Sequence, residues 1–147
     1  AWLSKKTDQR YRLASESEWE YAARAGTKTA RYWGEAIGSG NANCRECGSQ
    51  WDRLQTAPVG SFRSNGFGLH DMLGNVWEWT EDCWNESYAG APGDGSAWTS
   101  GNCSRRVLRG GSWGNAPWLV RSAFHSGSTT GSRNNYDGFR VARTLAD

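Results

Sequence analysis

The segment Trp77-Glu78-Trp79 limits the fold of this chain more than any other. In an extended strand, side chains alternate, so both indoles share one face and the carboxylate points to the other. One face must then be aromatic, and the other must supply a partner for a carboxylate. The approach to it, Gly68-Leu69-His70-Asp71-Met72-Leu73-Gly74-Asn75-Val76, is rich in turn formers. Ten Trp, five Tyr and four Phe stand against a single Met, which predicts a core built from aromatic rings. Nineteen glycines predict short elements joined by irregular backbone, with little helix.

A length of 147 residues suits one domain, 1–147. Its 17 basic and 15 acidic residues are interspersed, so no basic stripe points to nucleic acid. No run of about 18 apolar residues is present, and membrane insertion is not expected. Ala1-Trp2-Leu3-Ser4-Lys5-Lys6 has no signal-peptide pattern and reads as the end of a helix, so an N-terminal part is expected to be missing. No compartment is assigned; surface display or secretion through an upstream region is compatible with the sequence.

One helix is legible. Ser15 and Glu18 form a capping box, Trp19, Ala22 and Ala23 share a face, and Gly26 stops the helix, giving 16–25. Gly34 to Ser49 reads as a polar loop. Val107-Leu108-Arg109 and Phe139-Arg140-Val141-Ala142 read as core strands, and Gly114 to Asp137, full of small polar residues, as surface loop.

Four cysteines allow several arrangements. Cys83 and Cys103 bracket a Gly-, Pro- and Asn-rich loop whose closure by a disulfide would stabilise by about 3 kcal/mol. Cys44 and Cys47 could instead join them in a zinc site, and free thiols or other pairings stay open. Oxygen ligands also cluster: Asp71 and Glu78 offer carboxylates, and Gly74 and Val76 carbonyls, as a hard cation such as calcium requires. In the competing reading Asp71 caps a turn and Glu78 pairs with an arginine such as Arg109.

Tyr11-Arg12-Leu13 with Glu18 to Arg24, Asn41-Ala42-Asn43, Thr56 to Gly60, Gly74 to Trp79, Val107 to Trp113 and Gly138-Phe139-Arg140 together resemble the formylglycine-generating enzyme family, or sulfatase-modifying factor domains. The resemblance covers nearly the whole chain. It implies an α+β fold, the family's variant of the C-type lectin-like fold, with two helices around small antiparallel sheets. It also implies calcium at Asp71, Gly74, Val76 and Glu78, and a second calcium at Asn43 and Asp52 with the carbonyls of Cys44 and Leu54.

The family's oxidases hold copper with two cysteines in the segment after Gly-Gly-Ser-aromatic. Here Trp113 to Gly127 contains no cysteine, and Asn115, Pro117, Trp118 and Ser122 do not supply soft thiolates. Copper is therefore not expected. A branch with a three-histidine iron site is equally unmatched, since only His70 and His125 are present. The C-terminal segment instead resembles the variable region of diversity-generating retroelement proteins of bacteria and phage, which use this domain. Trp113, Gly114, Asn115, Ala116, Trp118, Leu119, Phe124, His125, Ser126, Gly127, Ser128, Ser132, Asn134, Asn135 and Tyr136 mix aromatics with small polar residues, as binding surfaces do. The expected function is non-catalytic binding of a protein or surface ligand. The alternative is a formylglycine-generating oxidase.

Overall fold

The computed structural model describes residues 2–144. In chain order the elements are α1 (Trp2–Thr7), β1 (Tyr11–Leu13), α2 (Glu16–Arg24), β2 (Trp77–Trp84), β3 (Asn102–Arg109), β4 (His125–Thr129), β5 (Asp137–Phe139) and β6 (Val141–Arg143). The fold is α+β, with long irregular segments between few elements.

The start of α2 follows from its capping box: the Ser15 hydroxyl accepts from Glu18 N at 3.1 Å, and Ser15 N donates to the Glu18 carboxylate at 2.8 Å. The helix ends one residue earlier than expected, because Ala25 takes the left-handed cap (φ 46°) before Gly26. Trp19 and Ala23 of α2 pack with Ala42, Cys44, Cys47, Met72, Leu73 and Val120 into the core. The 34–49 loop thus contributes core residues despite its polar composition. Gly74 makes this approach possible: a Cβ there would lie 2.5 Å from the Asn43 carbonyl oxygen.

The four-stranded sheet runs β4-β3-β2-β5, and β1 pairs with β6 in a separate two-stranded sheet. Four expectations need correction. The core is not built from aromatic rings: its buried cluster combines Trp19 with small and aliphatic residues, while Trp2, Tyr21, Phe67, Tyr88, Trp118, Tyr136 and Phe139 are exposed. The 114–137 segment is not all loop: β4 pairs with β3 from Arg105↔Thr129 to Arg109↔His125, through backbone bonds that ignore side-chain polarity. The sheets are not wholly antiparallel, since β5 runs parallel to β2. Phe139 to Ala142 is not one core strand: β5 and β6 separate at Arg140, leaving Phe139 70% exposed.

Cys83 is joined to Cys103, and Cys44 to Cys47. Among the described residues no cysteine is free, which removes the zinc and free-thiol readings. No helix among them is long and apolar enough to cross a membrane.

Candidate ligand-binding face

On β2 the alternation holds. Glu78 is buried and faces α2, where its Oε2 accepts from Trp19 Nε1 at 2.7 Å. Its arginine partner is Arg140, which donates to the carboxylate at 2.8 and 3.1 Å. Arg109 is spoken for elsewhere. It is wholly buried, lies over the Trp19 ring, pairs with Glu20 and Glu16, and donates to the carbonyls of Ser122 (2.7 Å) and Phe124 (2.8 Å).

The residues expected to bind ligand divide into three groups. The first gathers around Trp77. Phe124 lies 6.1 Å from it between centroids and meets Trp118 edge-on at 5.8 Å. Trp77 N donates to the Tyr136 carbonyl, and Trp113 Nε1 to that of Asn135. Trp118 is 62% and Tyr136 40% exposed, so this face offers aromatic surface to solvent. Gly114, Asn134 and Asn135 are exposed beside them, and Leu119 is half-buried.

The supporting segment is tied down. Buried Arg31 donates to the Pro117 carbonyl at 2.6 Å, Ser122 N donates to the Ala30 carbonyl, and Arg45 N to the Asn115 carbonyl. The Asn115 side chain turns inward and accepts from Ser112 N and Oγ at 2.9 and 2.8 Å. Asn115 thus shapes the loop, with Ala116 half-buried next to it. Sequence reasoning missed Arg31, because no local pattern distinguishes an arginine that reaches 86 residues along the chain.

The second group is His125, which lies away from the exposed face, on the α2 side of the sheet. Its Nδ1 is 3.0 Å from Glu16 Oε1 and 2.9 Å from the Tyr88 hydroxyl, and its ring stacks on Tyr88. Burial pushes the Glu16 carboxyl up, but the His125 hydrogen bond, the Arg109 charge and the Tyr88 hydroxyl outweigh it and hold the group below its ordinary value. Stability from Glu16 is therefore present above the unfolded carboxylate value and lost as pH falls through the lower folded one. Burial, then the hydrogen bond to Glu16, pushes the Tyr88 hydroxyl up, so it stays a donor. Gly127, two residues on, has no room to vary: a Cβ there would sit 2.4 Å from Trp84. The third group, Ser126, Ser128 and Ser132, lies on or beside β4, where Ser128 and Ser132 bond to each other at 2.8 Å.

At both expected calcium positions one aspartate oxygen is buried without a hydrogen-bond partner, Asp71 Oδ1 and Asp52 Oδ1. Their other oxygens accept from Gly60 N and Gly48 N, both at 2.6 Å. A buried unpaired carboxylate oxygen is costly, and a cation would remove that cost. Asn43 is wholly buried, while Leu54 is exposed. Among the described residues no three His, Cys, Asp or Glu side chains converge, so an ion would depend on backbone carbonyls as well. Glu78 fits less well, since Trp19 and Arg140 already occupy its oxygens.

The family model for the sulfatase-modifying factor enzyme 1-like domain matches residues 1–145. The formylglycine-generating enzyme of Streptomyces coelicolor is 37% identical over 148 residues, covering 89% of this chain and 46% of that protein. Among solved structures, PvdO from Pseudomonas aeruginosa aligns with a TM-score of 0.90 at 44% identity, over 98% of this chain and 56% of the other. Treponema denticola variable protein 1 aligns with a TM-score of 0.75 at 30% identity, over 90% and 47%. The chain thus spans about half the length of these relatives. With the motifs, the fold and the family model in agreement along almost its whole length, the chain belongs to the formylglycine-generating enzyme, or sulfatase-modifying factor, family.

Proposed function

We propose that the chain is a non-catalytic ligand-binding domain of the variable-protein kind, presenting the face formed by Trp113, Trp118, Phe124, Asn135 and Tyr136 around Trp77. The observation that carries this reading is exposed aromatic surface on loops that buried groups hold still. Rigid aromatics give contact area at low entropic cost, and Gly114, Asn134 and Asn135 give adaptable polar contacts. The resemblance to a variable protein supports it. So does the absence of any cysteine between Trp113 and Gly127, with all four cysteines committed to disulfides. The ligand class is a protein or a surface-borne molecule.

The second reading, a formylglycine-generating oxidase, is favoured by the identity to the Streptomyces enzyme. One experiment separates the two. The purified domain, supplied with copper(I), dioxygen and a reductant, is incubated with a sulfatase-type cysteine peptide and the peptide is weighed by mass spectrometry. The expected result is unchanged peptide; formation of the aldehyde would install the oxidase reading.

Calcium is the proposed structural ion, held through Asp71 with the carbonyls of Gly74 and Val76, and through Asn43 and Asp52 with those of Cys44 and Leu54. Its role would be to fix the loops that carry the face. An ion that binds only the folded state at about 100 times its Kd stabilises by about 2.7 kcal/mol. For a chain of this length that raises Tm by roughly 5–10 °C. Chelator should remove this increment, and Asp71→Asn with Asp52→Asn should abolish it. Equal melting with calcium and with chelator would rule the ion out.

A further inference from the structure

A second cleft arises from the way β2 and β3 pair. Their register runs Trp79↔Leu108 and then Cys83↔Arg106, so four steps along β2 are matched by two along β3. The surplus residues bow out of the ladder, as at a β-bulge. A cavity of about 470 Å³ opens there, lined by Leu13, Trp79, Glu81, Arg106, Thr130 and Arg133 among others. This volume lies in the range of small-molecule sites.

Its charges are unbalanced. Arg12, Arg24, Arg53, Arg109 and Arg140 each pair with a carboxylate, but among the described residues Arg106 and Arg133 do not. Arg106, half-buried, donates from Nη1 to the Glu81 carbonyl at 2.5 Å and lies 3.3 Å from Cys83 Sγ. Arg133 donates from Nη1 to the carbonyls of Thr130 and Ser132. These backbone contacts aim both guanidiniums while leaving Nη2 of each without an acceptor among the described residues. The lining therefore presents two oriented cations against one carboxylate, Glu81, with the Trp79 ring and Leu13 as an apolar wall.

We propose that this cleft binds a small monocarboxylate with a flat apolar body, its acid group taken by Arg106 and Arg133 and its body laid along Trp79. A guanidinium matches a carboxylate in two-point geometry, and the aromatic wall suits a planar body. This site is separate from the Trp118 face and does not depend on the function proposed for that face.

The test is calorimetric titration of the whole chain with 1-naphthoate, and with 1-naphthamide as the neutral isostere. Saturable naphthoate binding that naphthamide does not reproduce is expected. Removing one charged donor weakens such contacts by about tenfold, so Arg133→Gln should do this, and Arg106→Gln likewise. Arg133 is exposed, so its substitution leaves the fold alone and the result does not hang on Arg106, which also braces the bulge. The proposal is overturned by absence of saturation in the millimolar range, by equal binding of the amide, or by undiminished binding to Arg133→Gln. Loss of naphthoate binding in Trp118→Ala would place the ligand on the aromatic face and also overturn it.

Discussion

Arg109→Ala is expected to lower Tm by roughly 6–20 °C, since breaking a buried ion pair costs about 3–5 kcal/mol and each kcal/mol shifts a chain of this size by about 2–4 °C. The side chain is wholly buried and joins three parts of the fold. It neutralises Glu16 and Glu20 of α2, stacks on Trp19, and donates to the carbonyls of Ser122 and Phe124, which lie at the root of the aromatic face. Alanine leaves two glutamates facing each other without their shared cation. Arg109→Lys keeps the charge but not the planar fork, and should fall between alanine and the parent. Thermal melts followed by near-UV circular dichroism would measure all three. A melt of Arg109→Ala within 2 °C or so of the parent would contradict the role given to this residue.

What could be read from the sequence was local. The capping box at Ser15 and Glu18, the alternation Trp77-Glu78-Trp79 and the bracketing of a loop by Cys83 and Cys103 are signals written within a few residues or in cysteine placement, and each corresponds to an observed feature. β4 was not legible, because His125-Ser126-Gly127-Ser128-Thr129 lacks apolar alternation and gets its strand geometry from the ladder with β3. Nor was the exchange of arginines. Arg109 and Arg140 both lie near the sheet, and tertiary packing alone decides that Arg140 meets Glu78 while Arg109 meets α2. His125 shows the same limit. Its place among aromatic and small polar residues suggested an exposed anchor, whereas Tyr88, from inside the disulfide-closed loop, and Glu16, from α2, draw it into a polar cluster.

The candidate face was legible as a composition and not as a shape. Trp113, Trp118, Phe124, Asn135 and Tyr136 do come together, but only the packing of Phe124 on Trp77 shows where. Gly127 and Asn115 belong to the framework, one pressed against Trp84 and the other capping Ser112. A face that can be diversified must exclude them.

The second large effect follows from that division. Gly114, Trp118, Asn134, Asn135 and Tyr136 are exposed, and exposed positions usually shift stability by no more than about 0.5 kcal/mol in either direction, so changing all five at once should leave the fold standing while replacing the proposed binding face completely. Trp19, Val107 and Val120 are buried, and truncation of one large core side chain costs about 2–5 kcal/mol, a large part of what a marginal domain has. The deciding measurement is protease resistance, clone by clone, of a displayed library randomised at the five exposed positions, beside a control library randomised at the three buried ones. The account predicts that most clones of the first library resist protease as the parent does and that most of the second do not. Equal collapse of the two libraries would show that the proposed face is part of the core, and would contradict the claim that this domain carries its binding surface on an independent framework.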